Sequence, residues 1–188
     1  MLKILLLDLD GVVNDHKVLE SGHFGTKPEC VKCLNHILKE CSGTKIVITS
    51  AWRYIYLGGD MTLRGFEYLL LTHGVDCHER LLGFTEKDPE NFYQENSHKI
   101  NPKDFDHGYW KENGLKWRKE QILDYLYQDS GTGYSSFVEH IDGYVIIDDL
   151  DLDFKTNFVR TDGNVGLTMV DAENAIQILN TELFRRIK

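Results

Sequence analysis

The chain has 188 residues, 41% of them hydrophobic and 27% charged, with 3 prolines. That composition excludes a disordered or membrane chain and leaves interior enough for the core of one domain. No apolar run approaches a membrane span. The net charge of −9 excludes the broad basic footprint of a protein that grips nucleic-acid backbones by bulk charge, while leaving room for a local basic site around one phosphate.

Lys3 to Leu9 (KILLLDL) is a continuous apolar run closed by Asp10-Gly11, the pattern of a buried strand. It reaches acidic residues too early for a signal peptide. A cytosolic protein is therefore expected, with Cys30, Cys33, Cys41 and Cys77 as reduced thiols. Thr26-Lys-Pro-Glu29 has capping-box spacing and predicts a helix to about Cys41, with Val31, Leu34, Ile37 and Leu38 on one face. Lys45 to Ser50 (KIVITS) is a second buried strand. A helix over 63–73 stops at Gly74, and Arg80 to Thr85 is a third strand. Residues 86–114 carry no clean period and hold Phe92, Tyr93, Phe105, Tyr109 and Trp110 among polar residues, which reads as a lid or binding insert. Leu115 to Tyr127 is helical through Ile122, Leu123 and Leu126. Gly143 to Asp149 (GYVIIDD) is a strand, and 157–160 is a short edge strand. Thr168 to Asp171 opens a last helix with Ala172, Ala175, Ile176, Leu179 and Leu183 inward. Apolar strands alternating with amphipathic helices predict an α/β fold, a doubly wound parallel sheet in one domain over residues 1–188.

Two of these strands end in carboxylate pairs, Asp8 with Asp10 and Asp148 with Asp149, and a third ends in the hydroxyls Thr49 and Ser50. Ligands of open α/β sheets bind outside the carboxyl ends of the strands. Any one of these acids alone is better explained by a turn or a helix cap. Their joint occurrence on separate strands points to a site. Gathered carboxylates repel one another unless a cation joins them. Mg²⁺, which takes oxygen ligands and bridges to phosphate, is the natural partner.

The ordered set resembles the haloacid dehalogenase (HAD) superfamily of phosphohydrolases. Its first motif is an apolar strand followed by D-x-D, here Leu5 to Val13 with Asp8, Asp10 and Gly11. Its second is a strand ending in Thr or Ser, here Ile46 to Ser50. Its third is a basic residue at a helix start. Its fourth is a strand ending in acids, here Val145 to Asp149, with Asp153 beyond. The resemblance implies a Rossmann-like core and a Mg²⁺-dependent phosphatase. Asp8 would be the nucleophile that forms an aspartyl-phosphate, and Asp10 the general acid and base. Thr49 would hold a phosphoryl oxygen, with Ser50 the alternative, and Gly11 would take part in binding the substrate. Asp8, Asp10 and Asp148 would hold the metal, with Asp149 a further ligand or an outer hydrogen-bond acceptor. For the third motif Lys119 comes first and Arg118 second, with Lys116 one turn away.

A narrower likeness lies in Thr49-Ser-Ala-Trp-Arg53, Leu81 to Thr85 and Gly166-Leu-Thr168, which are similar to the capless HAD domains of Swiss Army knife RNA-repair proteins. It implies that Arg53 makes a forked contact to phosphate. It also implies no full cap domain, so that an open site could admit a nucleotide or a nucleic-acid end. The competing reading is a non-catalytic phosphate-binding or protein-interaction module on the same fold, which intact Asp8, Asp10, Thr49 and Asp148 argue against. A response-regulator receiver domain is also acidic and doubly wound, but its acidic pair, phospho-acceptor, hydroxyl and Lys come in a different order.

Cys30, Cys33, His36 and Cys41 could suggest zinc, but they lie on one predicted helix, which cannot surround an ion. Buried thiols are the better reading. His98 and His107 read as exposed loop residues. Tyr93 and Trp110 could stack on a base, although such aromatics more often anchor a loop.

Overall fold

A computed structural model describes residues 2–20, 25–50, 52, 61–85, 115–127 and 141–181. The insert at 86–114, with Tyr93, His98, His107 and Trp110, lies outside these residues, as do Arg53 and Leu183.

The apolar runs form strands β1 (Leu2–Leu7), β2 (Lys45–Ile48), β3 (Leu81–Phe84), β4 (Ile141–Asp148) and β5 (Phe158–Arg160). They make one five-stranded sheet in the order β3-β2-β1-β4-β5, every neighbouring pair parallel. The amphipathic segments form helices α1 (His16–Glu20), α2 (Pro28–Glu40), α3 (Leu63–Thr72), α4 (Leu115–Tyr127) and α5 (Met169–Asn180).

Side-chain alternation along a strand divides the core into two layers. Leu5, Leu7, Ile46, Ile48, Val145 and Ile147 face one way and pack with Leu34 and Leu38 of α2, Phe66 of α3 and Ala172 of α5. Ile4, Leu6, Val47, Tyr144 and Ile146 face the other way, against Ile122 and Leu126 of α4. The central strand β1 is buried on both faces from Ile4 to Leu7. Each such side chain contributes roughly 1.5–3 kcal/mol by leaving water.

Two local readings change. The helix expected from Thr26 starts later, with Lys27 as its extended N-cap, Pro28 in the first turn and no side-chain cap. A residue before proline is pushed out of helical geometry, so the box cannot close. The Thr26 hydroxyl instead donates to the His73 carbonyl at 3.2 Å. The short α1 carries no periodic signal. It is nucleated by Asp15, whose Oδ1 accepts from the Val18 N–H at 3.1 Å and whose Oδ2 accepts from Lys27 Nζ at 2.9 Å.

Candidate active site at the carboxyl edge of the sheet

Strands β1, β2, β3 and β5 are each followed by a polar residue that continues the ladder, and β4 ends on Asp148. The N–H groups of Asp8, Thr49, Thr85 and Thr161 donate to Ile147, Leu7, Ile48 and Asp148 carbonyls at 2.9–3.1 Å. Thr85, Thr49, Asp8, Asp148 and Thr161 therefore form a buried polar row across all five strands. Asp8 lies one residue past Leu7, Thr49 one past Ile48 and Asp148 one past Ile147. Alternation thus puts all three on the face that α4 covers.

Helix α4 brings Arg118 to that face. Arg118 lies four residues before Ile122 and eight before Leu126, on the side turned to the sheet. Its Nη1 donates to Asp8 Oδ2 and, at 3.0 Å, to Asp148 Oδ2. Burial works against the guanidinium charge, but Asp8 and Asp148 beside it outweigh burial and raise its pKa further. Lys119, placed first from the sequence, points elsewhere: its Nζ meets the Asp153 carbonyl at 3.0 Å and the Asp153 carboxylate at 3.4 Å. Lys116 pairs with Glu120 on the exposed side of the helix, 3.9 Å apart. The sequence signal that separates Arg118 from Lys119 is its register with Ile122 and Leu126.

Carboxylate oxygens of Asp8, Asp148 and Asp149 lie within 4.8 Å of one another. Burial first, and the Asp8 charge second, push both Asp148 and Asp149 above the ordinary carboxylate range. The protein alone therefore resists collecting three negative charges here. A hard, oxygen-preferring cation would relieve that resistance, and the all-carboxylate donor set fits one. Asp149 also meets His16 Nε2 at 3.0 Å.

The Asp10 carboxylate is not part of this cluster. Its Oδ1 accepts from Trp52 Nε1 at 2.7 Å and from Asn14 Nδ2 at 3.1 Å. Burial raises its pKa, while the Asn14 and Trp52 hydrogen bonds oppose the rise. Gly11 turns the chain between these carboxylates at φ +70°, and a Cβ there would sit 2.6 Å from Asp149 Cγ. Its carbonyl accepts from Thr161 Oγ1 at 2.7 Å. Of the second-motif hydroxyls, Ser50 Oγ accepts from the Trp52 N–H at 3.3 Å, and Thr49 is fully buried in the polar row. Sequence reading passed over Asn14, His16 and Thr161. Only the four-residue interval from Asp10 to Asn14, an amide able to brace a turn, was there to be noticed.

The thiols of Cys30, Cys33, Cys41 and Cys77 are all buried, and His36 pairs with Glu173 at 2.8 Å. No helix among the described residues is long and apolar enough to cross a membrane.

A parallel sheet in this order, with D-x-D after its central strand and an acidic pair at the end of the neighbouring strand, defines a haloacid dehalogenase domain. More narrowly, the family model for the HAD domain in Swiss Army Knife RNA repair proteins matches residues 4–172, and the chain belongs to that family. No curated protein and no solved structure matches it.

Proposed function

We propose that the protein is a Mg²⁺-dependent phosphatase that works through an aspartyl-phosphate at Asp8. The observation that carries this reading is the Asp8 carboxylate itself, buried between the Arg118 guanidinium and the Asp148–Asp149 pair, with Asp10 braced two residues away. The carboxylate oxygens of Asp8, Asp148 and Asp149, within 4.8 Å of one another, are an all-oxygen donor set of the kind a hard cation such as Mg²⁺ takes. Asp8, Asp148 and Asp149 would hold the ion, together with the Asp10 backbone. Bound there, it would neutralise charge on the phosphoryl oxygens and on the carboxylates.

In the first step an Asp8 oxygen bonds to phosphorus as the ester bond breaks, and the leaving oxygen takes a proton from Asp10. In the second, water attacks the phosphorus and gives its proton to Asp10, the Asp8–phosphorus bond breaks, and phosphate leaves. Arg118, in place of Lys119, is the basic residue that restrains Asp8 and steadies the transferring phosphoryl group. Thr49 holds a phosphoryl oxygen, and Arg53 is a second candidate contact.

A nucleotide or a nucleic-acid terminal phosphate is the favoured substrate. The family's tie to RNA repair proteins supports it. The net charge of −9 is compatible with it if recognition is confined to the end of the strand.

The test is hydrolysis of a generic phosphate ester with and without Mg²⁺, beside Asp8→Asn and Asp10→Asn. Turnover should need Mg²⁺ and vanish in Asp8→Asn; full activity in that variant would sink the mechanism. A panel of mononucleotides and of 5′- and 3′-phosphorylated oligonucleotides then ranks substrates.

A further inference from the structure

Asp10 is gripped in an asymmetric way. The two donors it receives among the described residues, Trp52 Nε1–H at 2.7 Å and Asn14 Nδ2–H at 3.1 Å, end on the same oxygen, Oδ1. No described residue donates to Oδ2. The donors come from different parts of the fold, Asn14 from the turn after β1 and Trp52 from the turn after β2.

Each donor is itself fixed. Asn14 is fully buried. Its Oδ1 accepts from the Gly11 N–H at 2.9 Å and its amide also donates to the Gly25 carbonyl at 3.2 Å. Trp52 is 3% exposed, its backbone N–H donates to Ser50 Oγ at 3.3 Å, and its rings lie edge-on to His73.

An indole N–H and an amide NH₂ are donors that cannot receive a proton at those atoms. Oδ1 must therefore show them lone pairs, and a proton carried by Asp10 belongs on Oδ2. Two donors arriving from separate turns also stop rotation of the carboxyl plane, which a single donor would permit. We propose that Trp52 and Asn14 are positioning residues that reserve Oδ2 of Asp10 for proton delivery and hold it in one orientation. This rests on the phosphatase reading above and assigns the second-motif tryptophan a part in leaving-group departure.

A buried indole needs an acceptor for structural reasons alone, so the test must read proton donation separately from folding. A leaving group that departs well as an anion needs little acid assistance, whereas an alkoxide needs much. The full chain with Mg²⁺ is assayed on p-nitrophenyl phosphate and on a primary alkyl phosphate, in the wild type and in Asp10→Asn, Trp52→Phe and Asn14→Ser. Folding is followed by circular dichroism.

Trp52→Phe keeps a ring and removes the donor. It should lose on the order of tenfold more kcat on the alkyl ester than on p-nitrophenyl phosphate. Asp10→Asn should show the same selectivity, larger. Asn14→Ser should follow the same pattern, and it carries the test alone if Trp52→Phe does not fold. Equal losses on both esters, or none, in a folded variant overturn the inference while leaving Asp10 as the acid. A wild type that hydrolyses neither ester, nor any mononucleotide or phosphorylated oligonucleotide, overturns the phosphatase reading and this inference with it.

Discussion

Arg118 and Lys119 are adjacent and carry the same charge, yet only one meets the acidic strand ends. Arg118→Ala removes a guanidinium shared by Asp8 and Asp148, leaving two buried carboxylates facing each other. We expect kcat to fall by roughly 10²–10³, and Lys119→Ala, which leaves Asp153 still paired with Lys155, to cost far less. Steady-state kinetics of the two variants decides between them, and the reverse order would return Lys119 to the site. Cys77 makes a different single-residue case. Burial, with Glu67 nearby, pushes its thiol up to about 12 from an ordinary 9.0. Its folded value lies above its unfolded one, so the neutral thiol contributes fully below pH 9 and that contribution is lost as pH rises through about 12. Urea midpoints between those values should decline. At pH 8 iodoacetamide should label Cys77 only after unfolding.

At the scale of elements, strand ends and helix caps position the site. Helix α5 begins with a complete capping box: the Thr168 hydroxyl accepts from the Asp171 N–H, and the Asp171 side chain accepts from the Thr168 N–H at 3.0 Å. Thr168→Ala should cost about 1 kcal/mol, seen as a lower urea midpoint with an unchanged slope. Gly166 stands just before it at φ +82°, where a Cβ would lie 2.6 Å from Cys30 Sγ and 2.7 Å from the Asn14 carbonyl. Gly166→Ala should therefore destabilise by about 2 kcal/mol or more, and by loosening the Asn14 turn it should also lower activity. Thr168 and Asp171 were legible as a cap because the motif is local. Thr26 and Glu29 looked equally good and failed because Pro28 moved the helix start.

Across the whole molecule, the acidic trio draws on β1 and β4, whose ends are distant in sequence, and burying their charges weakens the protein without a cation. Adding Mg²⁺ should therefore raise the thermal midpoint. At a hundredfold excess over Kd the gain is about 2.7 kcal/mol, a rise on the order of 5–10 °C for a chain of this size. Asp148→Asn should abolish most of that shift; a shift retained in full would place the ion elsewhere. The sequence alone determined the parallel α/β class, because buried strands and amphipathic helices have different hydrophobic periods that local reading can separate. It also put Asp8, Thr49 and Asp148 at the carboxyl edge of the sheet, because each follows directly on an apolar run. Only the tertiary structure decided which neighbour of α4 faces Asp8. Only it showed that Asp10 is braced by Asn14 and Trp52, and that Thr85 and Thr161 complete the polar row. Those facts depend on how elements far apart in the chain register against one another, and contacts of that kind leave no period in the sequence.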